Sequence, residues 1–376
     1  MHPCGLRNRK KTTMINKDNY AVIMAGGVGS RFYPMSTRET PKQFLDILGT
    51  GETLIQQTFR RLKEVVPQEN IYIVTNVIYR DITASQLPSI SPDQILCEPL
   101  MRNTAPCIAY AAYKIRTQNP NARMIVAPSD HHITDDIAFI RDVTAVLDRA
   151  GDEDRLYTLG IRPTRPDTGY GYIQYVDDED YPSVDGIFKV KTFTEKPNLE
   201  LAQAFLDSGD FLWNSGIFVW SVKSISAAFE KFLPEMHIAF SEAAPYYYTA
   251  EEEDRINAIY PSCQKESIDF GVMEKASNVY VLPASFGWSD LGTWRSLYEK
   301  ISKDQAGNAF VGKEHIHAYD SKGNIFCSDG VMIVKGLENF IVASVGGVVL
   351  ICPKDDEQSV KQMVADVKAK GAKLGL

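Results

Sequence analysis

The sequence predicts an α/β protein: a mainly parallel β-sheet with helices on both faces, followed by a small β-rich C-terminal region. Short apolar, β-branched runs recur at 21–25, 71–75, 94–97, 123–127 and 156–161, each beside helical periodicity. A glycine cluster at 26–29 closes the first run, the place where open α/β sheets hold their ligands. From about residue 306 the pattern shifts to short strands punctuated by Gly, Asn and Asp.

Each element has its own local signal. The five apolar runs suit strands buried between two layers of helices, and their alternation with helical stretches predicts parallel pairing. Between the first two, Leu54, Ile55, Phe59, Leu62, Val65 and Val66 fall on one helical face, as a crossover helix requires. Thr104-Ala105-Pro106 opens another helix with a capping residue and an early proline. Beyond residue 165 the alternation becomes irregular. Strands at 170–176, 187–195 and 214–220, with helices near 199–206 and 224–232, read as an inserted substrate region completing the same sheet. The tail strands begin around Asn308, Gly323 and Gly330, and a polar helix closes the chain from about 356 to 370. No long internal repeat and no low-complexity tract is visible. The division expected is a disordered lead-in at 1–18, a main unit at 19–300 and the β-rich region at 301–376.

Composition narrows the class. With 376 residues, 44% of them hydrophobic, the chain can bury a large core, and about 150 residues per domain suggests two or three units. A net charge of -8, from 40 basic and 48 acidic residues, argues against broad electrostatic binding to nucleic acid, so any anion must be gripped locally. The longest apolar runs, such as 345–352, fall short of the roughly 18 residues that a membrane-spanning helix needs. Six cysteines without a CxxC pair read as reduced thiols, placing the protein in a cytoplasm with neither a disulfide framework nor a structural zinc. The basic start at 1–18 is followed by no apolar stretch of signal-peptide length.

The loop AVIMAGGVGSRFYPMSTRETPKQF, residues 21–44, matches neither familiar phosphate motif. It lacks the GK[ST] ending of a P-loop, and Phe32 stands where the dinucleotide pattern demands its third glycine. What remains is a nest of backbone N–H groups around Gly26, Gly27, Gly29 and Ser30, with Arg31 at its end and Lys42 behind two prolines. Such a nest can face a polyphosphate, with two fixed cations to hold it; a tight turn beside two solvated cations is the plainer reading of the same residues.

That pattern, GGxGxRxxPxS followed by PKQF, resembles the opening signature of the sugar nucleotidyltransferases. EPLMRNTAP at 98–106, VAPSDHHI at 126–133, GYGYI at 169–173, FTEKP at 193–197, WNSGIF at 213–218, ESIDFGVMEK at 266–275 and WSDLGTW at 288–294 narrow the resemblance to the mannose-1-phosphate guanylyltransferase family, in its order. The likeness is clear from about residue 20 to 300 and weaker beyond. It implies the Rossmann-like sheet of that family and transfer of GMP from GTP to α-D-mannose 1-phosphate, yielding GDP-mannose and pyrophosphate. Another sugar 1-phosphate, such as glucose or a heptose, or another triphosphate, fits the spacing as well, and a silent regulatory subunit could keep the fold. Retention of Arg31, Lys42, Asp130 and Asp290 favours catalysis.

Nucleotidyl transfer rests on positioning and charge neutralisation more than on covalent help from the protein. Mg²⁺ suits it, being a hard cation held by one or two carboxylates and phosphate oxygens. Asp130 follows the apolar run at 124–127, and Asp290 resembles the second metal ligand of the family. Each could equally be a turn or cap residue. His131 and His132 lack zinc-ligand spacing, and an ionised sugar phosphate needs no general base, so the pair is read as structural. The resemblance assigns Arg31, Lys42 and Asp130 to catalysis. It gives Glu98, Arg102, Asn103 and Thr104 to base and ribose, and Gly171, Tyr172, Glu195, Lys196, Asn214 and Asp269 to the sugar phosphate. Beside these, Gly169, Tyr170 and Gly171 form a loop able to close over the sugar, with the tyrosine as a stacking face. His315 and His317 lack the metal pattern of the cupin isomerase domain that longer relatives carry, so one activity is expected. The β-rich region is expected to pack on the main unit or to mediate a homodimer.

Overall fold

The computed structural model describes residues 15–27, 30–151, 154–312 and 315–371. Of the lead-in expected at 1–18, residues 1–14 lie outside this range, as does Gly29 of the loop. In chain order the first part comprises β1 (Asn19–Ala25), α1 (Leu54–Leu62), β2 (Ile71–Asn76), α2 (Arg80–Gln86), β3 (Ile95–Glu98), α3 (Thr104–Gln118), β4 (Arg123–Pro128), α4 (Asp136–Ala150) and β5 (Leu156–Ile161). There follow β6 (Tyr172–Val176), β7 (Phe188–Thr194), α5 (Leu199–Ser208), β8 (Phe211–Ser221), α6 (Val222–Phe232), α7 (Pro234–Glu242), α8 (Glu252–Ile259), β9 (Val279–Ala284) and α9 (Trp294–Lys300).

The nine strands form one sheet in the order β3-β2-β1-β4-β8-β5-β9-β7-β6. Successive residues of β1 point to opposite faces, as a strand must. Tyr20 and Val22 meet α3 in one core, while Ala21, Ile23 and Ala25 meet α1 and α4 in the other. The small residues of α3 allow close approach: Tyr113 packs against Phe229 of α6 and Phe240 of α7, and this helix is buried almost throughout. The expected alternation is found from β1 to β5, and β1, β2, β3 and β4 pair in parallel. The eleven residues of β8 run antiparallel to both β4 and β5, so the inserted segment puts one strand in the middle of the sheet, while its β7 and β6 form one edge.

The C-terminal part holds β10 (Ala309–Val311), β11 (Ile316–Tyr319), β12 (Ile325–Ser328), β13 (Met332–Lys335), β14 (Phe340–Val345), β15 (Val348–Pro353) and α10 (Ser359–Ala369). Here β10, β12 and β14 pair in parallel, as do β11 and β13. Ala309 aligns with Ile325 and Ile325 with Ile341, a step of 16 residues, and Ile316 aligns with Met332 at the same step. The chain therefore coils. Its corners use left-handed residues at Gly307, Gly323 and Asn339, where glycine or asparagine is least strained. Inside, the Asn308 Oδ1 accepts from the backbone and side chain of Asn324, whose own Oδ1 accepts from the Phe340 N–H. This short period went unseen in the sequence because only corner and asparagine positions recur, while the rest of each turn is interchangeable apolar filling.

The coil and the main unit share a core, in which Ala309, Ile325 and Ile341 pack with Phe32, Leu54, Leu291 and Trp294. A smaller cluster joins Tyr33, just after the glycine loop, to Cys352, Val360 and Val364. Among the described residues no helix is long and apolar enough to cross a membrane. Cys97, Cys107, Cys263, Cys327 and Cys352 are free thiols.

Candidate active site

Parallel pairing of β1 with β4 brings their carboxyl ends to one edge, so the glycine loop and the Ser129-Asp130 turn emerge side by side. The backbones of His132 and Ser289 then exchange hydrogen bonds of 2.8 and 3.0 Å, forming an isolated bridge that carries Asp290 next to Asp130. Lys42 opens a short 3₁₀ turn, Lys42–Phe44, and its ammonium lies between the two segments. It meets Asp130 Oδ2 at 2.8 Å and donates to the carbonyls of Asp290 and Leu291 at 2.7 and 3.2 Å. Leu291 is left-handed, with φ of 43°, a conformation that costs a branched residue about 1–2 kcal/mol. The Lys42 side chain, only 5% exposed, thus clamps a strained turn as well as neutralising an acid.

Three adjoining hollows share Asp290 as a wall. One of about 270 Å³ is lined by Arg31, Lys42, Asp130, His131, Asp290 and Lys361, and so gathers the predicted phosphate and metal residues. Another, of about 200 Å³, is lined by Thr104, Gly171, Glu195, Lys196, Asn214 and Asp269 among others, the predicted sugar residues together with one from the nucleotide segment. The third, of about 490 Å³, lies between Arg31, Arg165, Tyr170, Arg295 and Glu357. Gly26 and Gly27 are exposed; a Cβ on either would meet nothing within 4 Å, so the packing of the protein does not itself demand glycine there.

Electrostatics divides the acids. Burial acts to raise the Asp130 carboxyl, but the neighbouring Lys42 and His131 outweigh it and hold the group below its ordinary value. Asp290 Oδ1 accepts from the Tyr170 hydroxyl at 2.8 Å and the Gly292 N–H at 2.9 Å. Its Oδ2 accepts from no described residue. Asp269, first residue of a five-residue π-turn, accepts from Asn214 Nδ2 at 2.8 Å; burial and then the nearby Glu195 carboxylate push its carboxyl up to about 6. Burial lowers both histidines, His132 to about 4, and His131 Nδ1 accepts from the Trp288 indole at 3.1 Å, so both are neutral near pH 7. His131 nonetheless lines two of the hollows.

Tyr172, Glu98, Arg102 and Asn103, all assigned to the site, line none of the three hollows. Tyr172 is wholly buried against Phe205, with its hydroxyl donating to the Asp167 carbonyl; as the first residue of β6 it turns into the core, and Tyr170 reaches the cleft instead. Glu98 ends β3 beneath α3, 6% exposed, and accepts from the Tyr260 hydroxyl at 2.9 Å. Arg102 donates to the Pro261 carbonyl, and Asn103 caps α3 from an exposed left-handed position. Of this segment Thr104 borders the hollow, and its Oγ1 accepts from the Ile268 N–H, which fixes the backbone beside Asp269. Glu195 and Lys196 form an ion pair at its rim. The side chain of Ser30 lies outside what the structure describes. Sequence reasoning missed Lys361, because a lone lysine on a polar helix carries no signal of the cleft it faces.

Burial of Glu98 gives a stability prediction. Its carboxyl is pushed up to about 8 by burial, against the bond from Tyr260. The folded state therefore keeps this proton where the unfolded chain has lost it, and stability falls as pH rises from about 4.5 to about 8. Glu98→Gln keeps the hydrogen bond and removes the ionisation. By urea unfolding it is expected to match the parent at pH 5 and to exceed it by about 2–4 kcal/mol at pH 8. Parallel stability curves across that range would refute it.

Residues 20–307 match the family model Nucleotidyl transferase, and residues 313–367 match MannoseP isomerase/GMP-like beta-helix domain. The xanthan biosynthesis protein XanB of Xanthomonas campestris is 35% identical over 94% of this chain and 74% of its own length. A mannose-1-phosphate guanylyltransferase of Klebsiella pneumoniae is 35% identical over 92% of this chain and 73% of its own. Among solved structures, a mannose-1-phosphate geranyltransferase from Thermus thermophilus superposes with a TM-score of 0.83 at 33% identity, covering 93% of this chain and 99% of that one.

Proposed function

The chain belongs to the nucleotidyl transferase family, with the mannose-1-phosphate guanylyltransferases among its relatives, and from that we infer that it transfers GMP from GTP to α-D-mannose 1-phosphate, releasing pyrophosphate. The observation that carries this reading is the meeting, in adjoining hollows that share Asp290, of Arg31, Lys42 and Asp130 with the group Glu195, Asn214 and Asp269.

The attacking group is a sugar-phosphate oxygen, already ionised near neutral pH, so the protein has to hold it in line with the α-phosphorus and spread the developing charge. Exposed N–H groups at Gly26 and Gly27, with Arg31, face the triphosphate. The open space at both glycines suits a backbone that phosphates must approach closely. Asn214 and Asp269 offer a donor and an acceptor to sugar hydroxyls, while Glu195 and Lys196 stand at the rim for hydroxyl and phosphate. Lys42 keeps Asp130 ionised and the Asp290 turn in place. Because the attacking phosphate oxygen is already ionised, neither histidine is needed as a base.

Among the described residues no set of three Cys, His, Asp or Glu side chains gathers as a metal cage. Two carboxylates walling one hollow are the donor set that Mg²⁺ accepts when phosphate oxygens complete its shell, so Asp130 and Asp290 fit that ion. When bound, the ion neutralises charge on the phosphates.

Purified protein is expected to release pyrophosphate with GTP and mannose 1-phosphate and to favour that pair in a grid of five triphosphates against several sugar 1-phosphates. Silence across the grid would overturn the assignment. The sugar end has a sharper test. A Cβ on Gly171 would lie 2.4 Å from Glu195 Oε2 and 3.3 Å from the Asn214 Cβ. Gly171→Ala must therefore displace the Glu195 carboxylate without unfolding the chain. Its KM for mannose 1-phosphate is expected to rise about tenfold, as losing one hydrogen bond to a charged group implies, with KM for GTP within twofold. Equal changes in both constants would detach Glu195 from the sugar.

A further inference from the structure

Six cations line the three hollows of the cleft, and four of them are already engaged. Lys42 is held by Asp130 and two carbonyls, Lys196 by Glu195, Arg165 by Asp167 and Arg295 by Glu299. The hollow walled by Asp130 and Asp290 has two more basic residues in its lining, Arg31 and Lys361, and neither makes an ion pair with a described residue. A triphosphate entering beside two carboxylates brings like charge to like, and it needs cations not already spent on the protein.

Lys361 comes from an unexpected part of the chain. It is the third residue of α10, beyond the coil, and Val360 and Val364 of the same helix pack on Tyr33, two residues after Arg31. The contact is apolar and well buried: Tyr33 is 3% exposed and Val360 fully enclosed. It fixes the helix to the end of the phosphate loop, so the Lys361 stem is directed into the hollow by packing and not by an ion pair.

We propose that Lys361 is a phosphate-binding residue of the GTP site, supplied by the C-terminal helix α10 and acting with Arg31 on the β- and γ-phosphates that leave as pyrophosphate. The proposal rests on the function assigned above. It also gives the packing of α10 on Tyr33 a purpose, since that helix brings a second cation, unpaired among the described residues, to the hollow beside Arg31. Lysine suits the task as a flexible point charge that can follow a departing phosphate.

The test uses the full chain with Lys361→Ala, Lys361→Arg and Lys370→Ala, the last a control at the far end of the same helix. Steady-state constants are measured for both substrates, pyrophosphate is tested as an inhibitor, and GTP with magnesium is titrated calorimetrically without sugar. Lys361→Ala is expected to raise KM and Kd for GTP about tenfold and to weaken inhibition by pyrophosphate similarly, leaving KM for mannose 1-phosphate within twofold. Lys361→Arg should recover most of the loss, and Lys370→Ala should change nothing. An unaltered GTP affinity in Lys361→Ala, or an equal loss in Lys370→Ala, would overturn the proposal. If the parent protein turns over no substrate pair, the assigned reaction fails on its own, and the GTP titration still decides whether Lys361 grips a triphosphate.

Discussion

Lys42→Ala is expected to lower kcat/KM by about two to three orders of magnitude, with a loss of stability of about 2–4 kcal/mol in the same protein. Both follow from the position of one ammonium. Removing it leaves Asp130 as a half-buried acid without its cation, and removes two hydrogen bonds that hold the left-handed turn at Leu291. The turn would relax and carry Asp290 with it. Lys42→Ala/Asp130→Asn separates the two effects: neutralising the abandoned acid should restore most of the stability, while activity stays lost. Pyrophosphate release and urea unfolding on the two variants measure both. Full activity in Lys42→Ala would remove the residue from the machinery, and additive stability losses in the double variant would show that the pair is not coupled.

Asp290→Ala is the second large effect. Its carboxylate receives the Tyr170 hydroxyl and the Gly292 N–H, and it walls all three hollows of the cleft. Turnover is expected to slow by about two to three orders of magnitude, since one lost electrostatic group at a transferring phosphate is worth about 3 kcal/mol. Unfolding should shift by only about 1–2 kcal/mol, because both partners can turn to water. The magnesium concentration giving half-maximal rate should rise by at least about tenfold. A variant with slower turnover but an unchanged magnesium requirement would reduce Asp290 to a cap on its turn.

Comparison of these residues with the sequence shows which physics is legible in a linear chain. The runs that became β1 to β5 were visible within a residue or two, since strands buried on both faces must be apolar throughout. That Asp130 lies just past the end of β4 was readable from the apolar run before it, whereas its role at a metal rested on the resemblance. The direction of β8 was not readable: apolar residues in a central strand look the same whichever way they run. Nor was the destination of Lys42, whose partners are an acid 88 residues onward in Asp130 and two carbonyls near the end of the main unit. Tyr170 and Tyr172 are separated by a single glycine, and only the start of β6 decides which ring faces the cleft. Glu98 was misplaced because a buried, protonated glutamate is indistinguishable in sequence from one that awaits a ligand.

The step of 16 residues in the coil makes length there a quantised variable. Adding or deleting one whole turn would preserve the pairing of every remaining strand yet lift the final helix by the thickness of one strand, about 4.8 Å, more than an ion pair can span. Deleting a single residue would keep the helix near its height but rotate the corner glycines out of line. Changes of length in this region are therefore expected to be tolerated at the corners only, where they leave the turn count alone.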